Sequence, residues 1–259
     1  WNKDRTGQAA AQPRGLLGSL VMGSARPTQF VMDDYAYVLM SDGAERASTL
    51  DEYANREYLK TEVAPTRDPA FLRLWDLLST RYLVSYGAAA ALQDALRAVP
   101  QQDRIIVRHA RTMAAREFKE GNFVLFGSPP NNPWAMLFEE KLNFQKTDAG
   151  MVNRHPQPGE KPLYSPTRSF AANSGVAYAR LAYLPNPQNG FVILLTGLNM
   201  VTSEAAAEFA TDPKRIPEIL RLTGAKTLAS VPHFEMLLEI SAVDTTPKDI
   251  RLIAYRKVD

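Results

Sequence analysis

The chain has no cysteine, which excludes disulfides, thiolate metal sites and a cysteine nucleophile at once. It also lacks long apolar runs: none approaches the roughly 18 residues that cross a bilayer, and no basic, apolar, small-residue leader of the secretory kind is present. Histidine is scarce. His109, His155 and His233 lie far apart without HExxH or His-x-His spacing, so no zinc site is expected. Lys plus Arg number 30 against 28 Asp plus Glu, so the net charge gives no reason to expect a nucleic acid or an anionic membrane as partner. Neither a P-loop nor a GxGxxG turn is present to cradle nucleotide phosphates, and no cofactor is expected. Ser128 sits in Phe-Gly-Ser-Pro-Pro rather than a Gly-x-Ser-x-Gly elbow, and Pro129 removes the N–H such an elbow uses, which argues against a serine nucleophile.

What remains is ordinary globular composition, 45% hydrophobic and 22% charged over 259 residues, enough for a real core. Two stretches share one grammar, in which an apolar run meets a polar, Gly-containing loop and a helix-type pattern follows. The first is 123–126, then 127–132, then 133–142; the second is 191–195, then 196–199, then 202–210. Buried parallel strands read as continuous apolar runs, and ligands in open α/β sheets gather beyond their carboxyl ends, at helix N-termini. Both strands are therefore expected in one sheet with their carboxyl ends on one edge. The candidate ligand contacts are Gly127, Ser128, Asn131, Asn132 and Trp134 from the first stretch and Thr196, Asn199, Thr202 and Ser203 from the second. Each also has a plain structural role open to it: Asn132 and Pro133 suit N-cap and N1, and Ala205–Ala207 suit close helix packing.

Elsewhere, residues 1–28 read as a lead-in, partly packed through Leu16, Leu17, Leu20 and Val21, before an α/β domain over 29–259. A strand at 30–32 ends in Asp33-Asp34, a candidate acidic site, although magnesium would need further oxygen ligands and loop capping explains the pair more simply. Thr49 and Glu52 form a capping box for a helix over about 50–59, and further helices follow Pro69 and Ser85, the latter ended by Pro100. Residues 105–107 suggest a central strand and 112–119 a short helix. The Pro-rich stretch 143–173 reads as short edge strands or a flap, 176–184 with 191–195 as a hairpin, and 234–240 with 250–255 as a closing antiparallel hairpin. The basic stretch from Arg104 to Lys119 has no interleaved aromatics and reads as a solvated face. The fold class expected is α/β: a mixed, largely parallel sheet with helices on both faces and a C-terminal antiparallel hairpin.

Four pieces, residues 48–53, 126–128 with 132–134, 142–144 and 202–209, resemble in their succession the C-terminal α/β domain of uncharacterised bacterial regulators. These combine it with an N-terminal winged helix and often a membrane span. Ala135 and Ala207 depart from the family pattern, which often has Thr and Gly there. The resemblance implies a non-catalytic ligand-sensing or signalling domain taking a small polar or anionic ligand at the two loops, without nucleic-acid binding of its own. Any membrane association would come through a segment before Trp1, and either the periplasm or the cytoplasm fits. Two other readings stay open: a small-molecule hydrolase or transferase using Asp33 or Asp34 with the Ser128 loop, and a dimerisation domain whose loops are only caps.

Overall fold

The computed structural model describes residues 12–169, 174–243 and 246–258. Its elements run α1 Gly15–Gly23, β1 Thr28–Met32, α2 Tyr35–Gly43, α3 Leu50–Ala54, α4 Pro69–Thr80, α5 Tyr86–Ala98, β2 Ile105–His109, β3 Asn122–Phe126 and α6 Met136–Glu139. There follow β4 Phe144–Thr147, β5 Gly150–Asn153, β6 Leu163–Tyr164, β7 Thr167–Ser169, β8 Ser174–Pro185, β9 Phe191–Gly197, α7 Met200–Thr211, α8 Ile216–Thr223, β10 Phe234–Val243 and β11 Thr246–Lys257.

The main sheet runs in the order β11-β10-β8-β9-β3-β1-β2, with β7 beside the start of β8. Strands β2, β1, β3 and β9 are mutually parallel, whereas β8, β10 and β11 continue the sheet antiparallel. The expected α/β class with a mixed sheet and a closing hairpin is thus observed, the parallel part being one half. Phe123 pairs with Val192 and Phe126 with Leu195, so the two strands singled out in the sequence are parallel neighbours with carboxyl ends on one edge.

Because each strand shows alternate side chains to opposite faces, the apolar runs feed two cores. On one face Phe30, Val124, Phe126, Leu195, Met236 and Ile240 pack under α1, α5, α7 and α8. On the other, Val31, Phe123, Leu125 and Leu194 meet α2, α3, α4 and α6 through Tyr37, Tyr53, Trp75 and Phe138. Helices leave the second face of the antiparallel half uncovered. A three-stranded sheet, β4-β5-β6, covers it, with Phe144, Met151 and Tyr164 against Tyr178, Leu237 and Ala254.

Several expectations are corrected. Of the stretch 1–28 read as a lead-in, residues 1–11 lie outside the described residues, and the rest contains α1, built into the core. There a Cβ on Gly15 would lie 2.5 Å from the Thr211 carbonyl carbon and one on Gly18 2.4 Å from the Ala98 oxygen, so the two glycines let α1 touch α7 and α5 backbone to backbone. The strand at Ile105 is an edge strand, not a central one, since β1 lies between it and β3; Ile106 and Val107 stay exposed. Residues 112–119 form only 3-10 turns, Ala110–Thr112 and Ala115–Lys119. The helix capped by Thr49 stops at Ala54, where Arg56 turns left-handed with φ 58°. The helix expected over 133–142 is a 3-10 turn and the single turn of α6. The reason lies in buried Glu235: its carboxylate accepts from the N–H groups of Asn143 (2.6 Å) and Phe144 (3.1 Å) and draws the chain out of the helix into β4.

Candidate functional site

From β1 the chain passes to β2 on one side and then returns to β3 on the other. The crevice beyond the carboxyl ends of β1 and β3 is therefore a topological switch point, the place where open α/β sheets receive ligands. Asp33 leaves β1 there and Gly127-Ser128 leave β3. At Gly127, φ is +101°, which favours glycine, and a Cβ would sit 3.1 Å from the Asn131 Cβ, so the turn out of β3 is tight against its own loop.

This crevice is filled by the protein's own groups. Buried Asn132 occupies the expected N-cap position but makes no capping bond; its Nδ2 donates instead to the carbonyls of Val31 (3.2 Å) and Phe126 (3.1 Å), bridging β1 to β3. Its Oδ1 is buried without a partner. Asn131 accepts from the Asp34 N–H through its carbonyl (2.9 Å) and from the Ser128 hydroxyl through its side chain (2.9 Å). Trp134 is a core residue, packed on Tyr53 and Phe118 and donating through Nε1 to Ala110 O at 2.8 Å. Asp33 accepts from the Ser85 N–H at 2.9 Å beside the start of α5. Burial pushes its carboxyl above the ordinary value, hydrogen bonds to Ser85 oppose this, and the neighbouring Asp34 charge adds to it.

Asp34 has no exposed surface and every lone pair is in use. It accepts from Arg111 Nε (2.9 Å) and Nη2 (2.8 Å), Tyr58 OH (3.0 Å), Tyr53 OH (3.2 Å) and, as N-cap of α2, the Tyr37 N–H (3.1 Å). Arg111 also donates to Leu78 O and Ser79 O at the end of α4. Burial lifts both tyrosine hydroxyls well above their ordinary value, as does the Asp34 charge. The acidic pair thus splits, with Asp34 as a structural hub and Asp33 at the strand exit.

In the second loop the polar groups cap α7. Asn199 and Thr202 form a reciprocal capping box, and the Ser203 hydroxyl accepts from the Gly197 N–H (2.9 Å) and donates to Asn199 O (3.2 Å). Thr196 accepts at 3.2 Å from Arg180, a fully buried guanidinium that also holds Glu139 (2.8 Å) and Phe144 O. Met200 lies against Gly87 of α5 beside the Phe126 ring, which fills the space at the exit of β3.

A cavity of about 410 Å³ opens on the far side of the second loop. Asn199, Val201 and Thr202 form one wall, Val176 and Ala177 of β8 with Ile240 and Ala242 of β10 the floor, and Pro166 and Thr167 the rim. All of its described lining residues are uncharged, and none comes from 127–134. Asn199 and Thr202 thus border it while Ser128, Asn131 and Asn132 do not. Sequence reading missed the β8 and β10 contributors because their small and aliphatic residues read only as strand. Among the described residues no group of acids and histidines is arranged to hold a metal.

No protein-family model, curated protein or solved structure matches the chain.

Proposed function

We propose that the chain is a small-molecule-binding module of the sensing kind, with its ligand in the cavity beside the N-terminus of α7. The observation that carries this reading is the cavity itself, whose volume falls within the ~300–1,000 Å³ of ligand pockets and whose wall is apolar with a few convergent polar groups. Its ligand is a small neutral molecule with an apolar body over Ala177 and Ile240 and a hydroxyl or carbonyl near Thr167 and Thr202. This narrows the ligand class expected from the sequence, in which an anion was included, because a carboxylate or phosphate would meet no cation among the described lining residues. It also favours binding over turnover, since those residues offer no acid or base to move a proton.

The test is a thermal-shift screen of neutral small molecules on the parent and on Ala177→Phe, which fills the cavity floor. Stabilisation by ligand follows RT ln(1 + [L]/Kd), so a hit that uses the cavity loses its shift in the variant. A hit whose shift survives Ala177→Phe would move the site elsewhere.

Self-association is a second reading, favoured by β2, an edge strand whose Ile106 and Val107 are 45% and 47% exposed. Pairing with β2 of a second copy would satisfy its open backbone groups. Val107→Lys should then convert a dimer, measured by sedimentation, into a monomer.

A further inference from the structure

Of the two described tryptophans, Trp134 donates to Ala110 O at 2.8 Å, whereas Trp75, only 3% exposed, has a buried indole N–H without a partner among the described residues. A buried donor left unmade is costly, so this group calls for an acceptor. Trp75 also lines a cavity of about 120 Å³ between α2, α4 and the 3-10 turn Thr61–Val63. Met40, Ala44, Val63, Pro65 and Tyr58 line its apolar part. The hydroxyls of Ser41 and Ser48, which also line it, make no hydrogen bond among the described residues. Three braces fix these walls. Arg111 holds the end of α4 through Leu78 O and Ser79 O, and Arg67 donates to Thr61 O (2.9 Å) and Glu62 O (3.1 Å) of the 3-10 turn. The end of α2 is closed by Glu45, left-handed at φ 50°, and by the Arg46 N–H on Ser41 O at 3.1 Å. The cavity is therefore preformed.

We propose that this cavity is a second binding site, for a small uncharged molecule with an apolar body and a carbonyl oxygen that accepts from the Trp75 indole N–H. Its volume is close to the ~150 Å³ of an engineered apolar cavity that holds benzene, which sets the ligand at about six or seven heavy atoms. The indole is a donor only, so it selects a ketone or amide over a hydrocarbon of the same size. A carboxylate is disfavoured, because the guanidinium of Arg46, the one cation lining the cavity among the described residues, is already engaged by Glu52. This cavity shares no described lining residue with the one beside α7, so the inference does not rest on the function proposed for that site.

The test titrates the intact, isotope-labelled protein with cyclohexanone and follows the indole N–H resonances by NMR. The Trp75 resonance is assigned in the parent itself from its contacts with the Phe71 ring, whose centroid lies 5.9 Å away. Cyclohexanone should move it downfield saturably, with a Kd of about 1 mM for a ligand of this size, and leave the Trp134 resonance in place. Ala44→Leu, which fills the cavity, should weaken binding at least about tenfold, the equivalent of one lost contact of moderate strength. Val63→Phe is a second plug, at a wall position 46% exposed, where the fold tolerates a larger side chain. Ala177→Phe, which fills the cavity beside α7, should leave the Trp75 shift unchanged. No saturable shift at Trp75 overturns the proposal, because the N–H is then held by water alone or by nothing. An equal shift at Trp134, or a Trp75 shift that survives both plugs, overturns it as well.

Discussion

Replacing Arg111 with methionine tests whether the cluster around Asp34 holds the parallel half of the sheet together. The side chains of Asp34 and Arg111 are 0% and 3% exposed, so both charges are desolvated, and the pair spans β1 with α2 on one side and α4 on the other. Removing one partner of such a pair leaves an uncompensated buried charge, at a penalty of about 3–5 kcal/mol. Methionine keeps most of the volume between Tyr58 and Tyr82, whose rings lie 5.7 Å from the guanidinium, so the loss reads electrostatics more than a cavity. Equilibrium urea unfolding followed by tryptophan fluorescence reports the change as a shift in midpoint. Adding Asp34→Asn to Arg111→Met should recover part of it, since the stranded charge is gone and the amide oxygen in the Oδ2 place still accepts from the two tyrosines, while the NH2 in the Oδ1 place gives up the cap on the Tyr37 N–H. Tyr58→Phe alone should cost about 1.5–3 kcal/mol, the range for a hydrogen bond to a charged group. A loss below about 1 kcal/mol for Arg111→Met, or no recovery in the double variant, would refute the hub.

Acid should act in two opposite senses. Hydrogen bonding and charge from Arg256 hold Glu160 down at about 2, so its share of stability is present above about pH 4.5 and is lost as pH falls from there toward 2. Glu160→Gln should lower stability near neutrality by roughly 1 kcal/mol after screening, a difference that vanishes near pH 2 in urea midpoints. Burial raises Glu235, Asp33, Asp94, Glu204 and Glu208 above their ordinary values, so their folded forms hold protons more tightly and stability from them is lost as pH rises. These groups should therefore add to the midpoint as pH falls toward the carboxylate range, before the loss at Glu160 sets in, and a midpoint that only falls on acidification would contradict these environments. Gly197→Ala should destabilise the protein by more than a usual surface change, because the added Cβ would lie 2.3 Å from the Ser203 nitrogen, and hydrogen exchange should localise the loss to the first turn of α7. Sequence-selective binding to DNA in a gel shift at physiological salt should be absent, given the near-zero net charge.

The features legible in the sequence were those set by local rules. Continuous apolar runs marked β3 and β9, Thr49 with Glu52 marked the start of α3, and Pro185 to Gly190 marked the turn between β8 and β9. The illegible features depend on contacts distant in sequence. Nothing near Glu235 shows that its carboxylate, 92 residues from Asn143, ends one helix and starts a strand. Nothing near Arg111 announces Asp34, 77 residues away. The two candidate loops follow strand ends on one sheet edge, as expected, but whether a polar side chain there faces a ligand or a neighbouring backbone depends on which carbonyls remain unpaired. For Asn132 those were Val31 and Phe126.

The same reasoning explains why the cavity opens over the antiparallel half rather than at the switch point. Where β1 and β3 end, the polar groups of residues 127–132, the buried Asn132 Oδ1 excepted, satisfy one another and the strand ends, and a ligand would have to displace hydrogen bonds already made in a desolvated place. Across β9 the sheet turns antiparallel and its strands extend past α7: β8 begins at Ser174 and β10 runs to Val243, so their far ends lie beyond the helix cap at Asn199. Their residues there are small, Gly175, Ala177 and Ala242, too short to reach α7. The open volume beside Thr202 is what remains when a capped helix meets a sheet edge without bulky side chains to close the gap. Enlarging those residues should close it without disturbing the Asp34 hub, which lies on the opposite half of the sheet. Framework and cavity can therefore be varied separately.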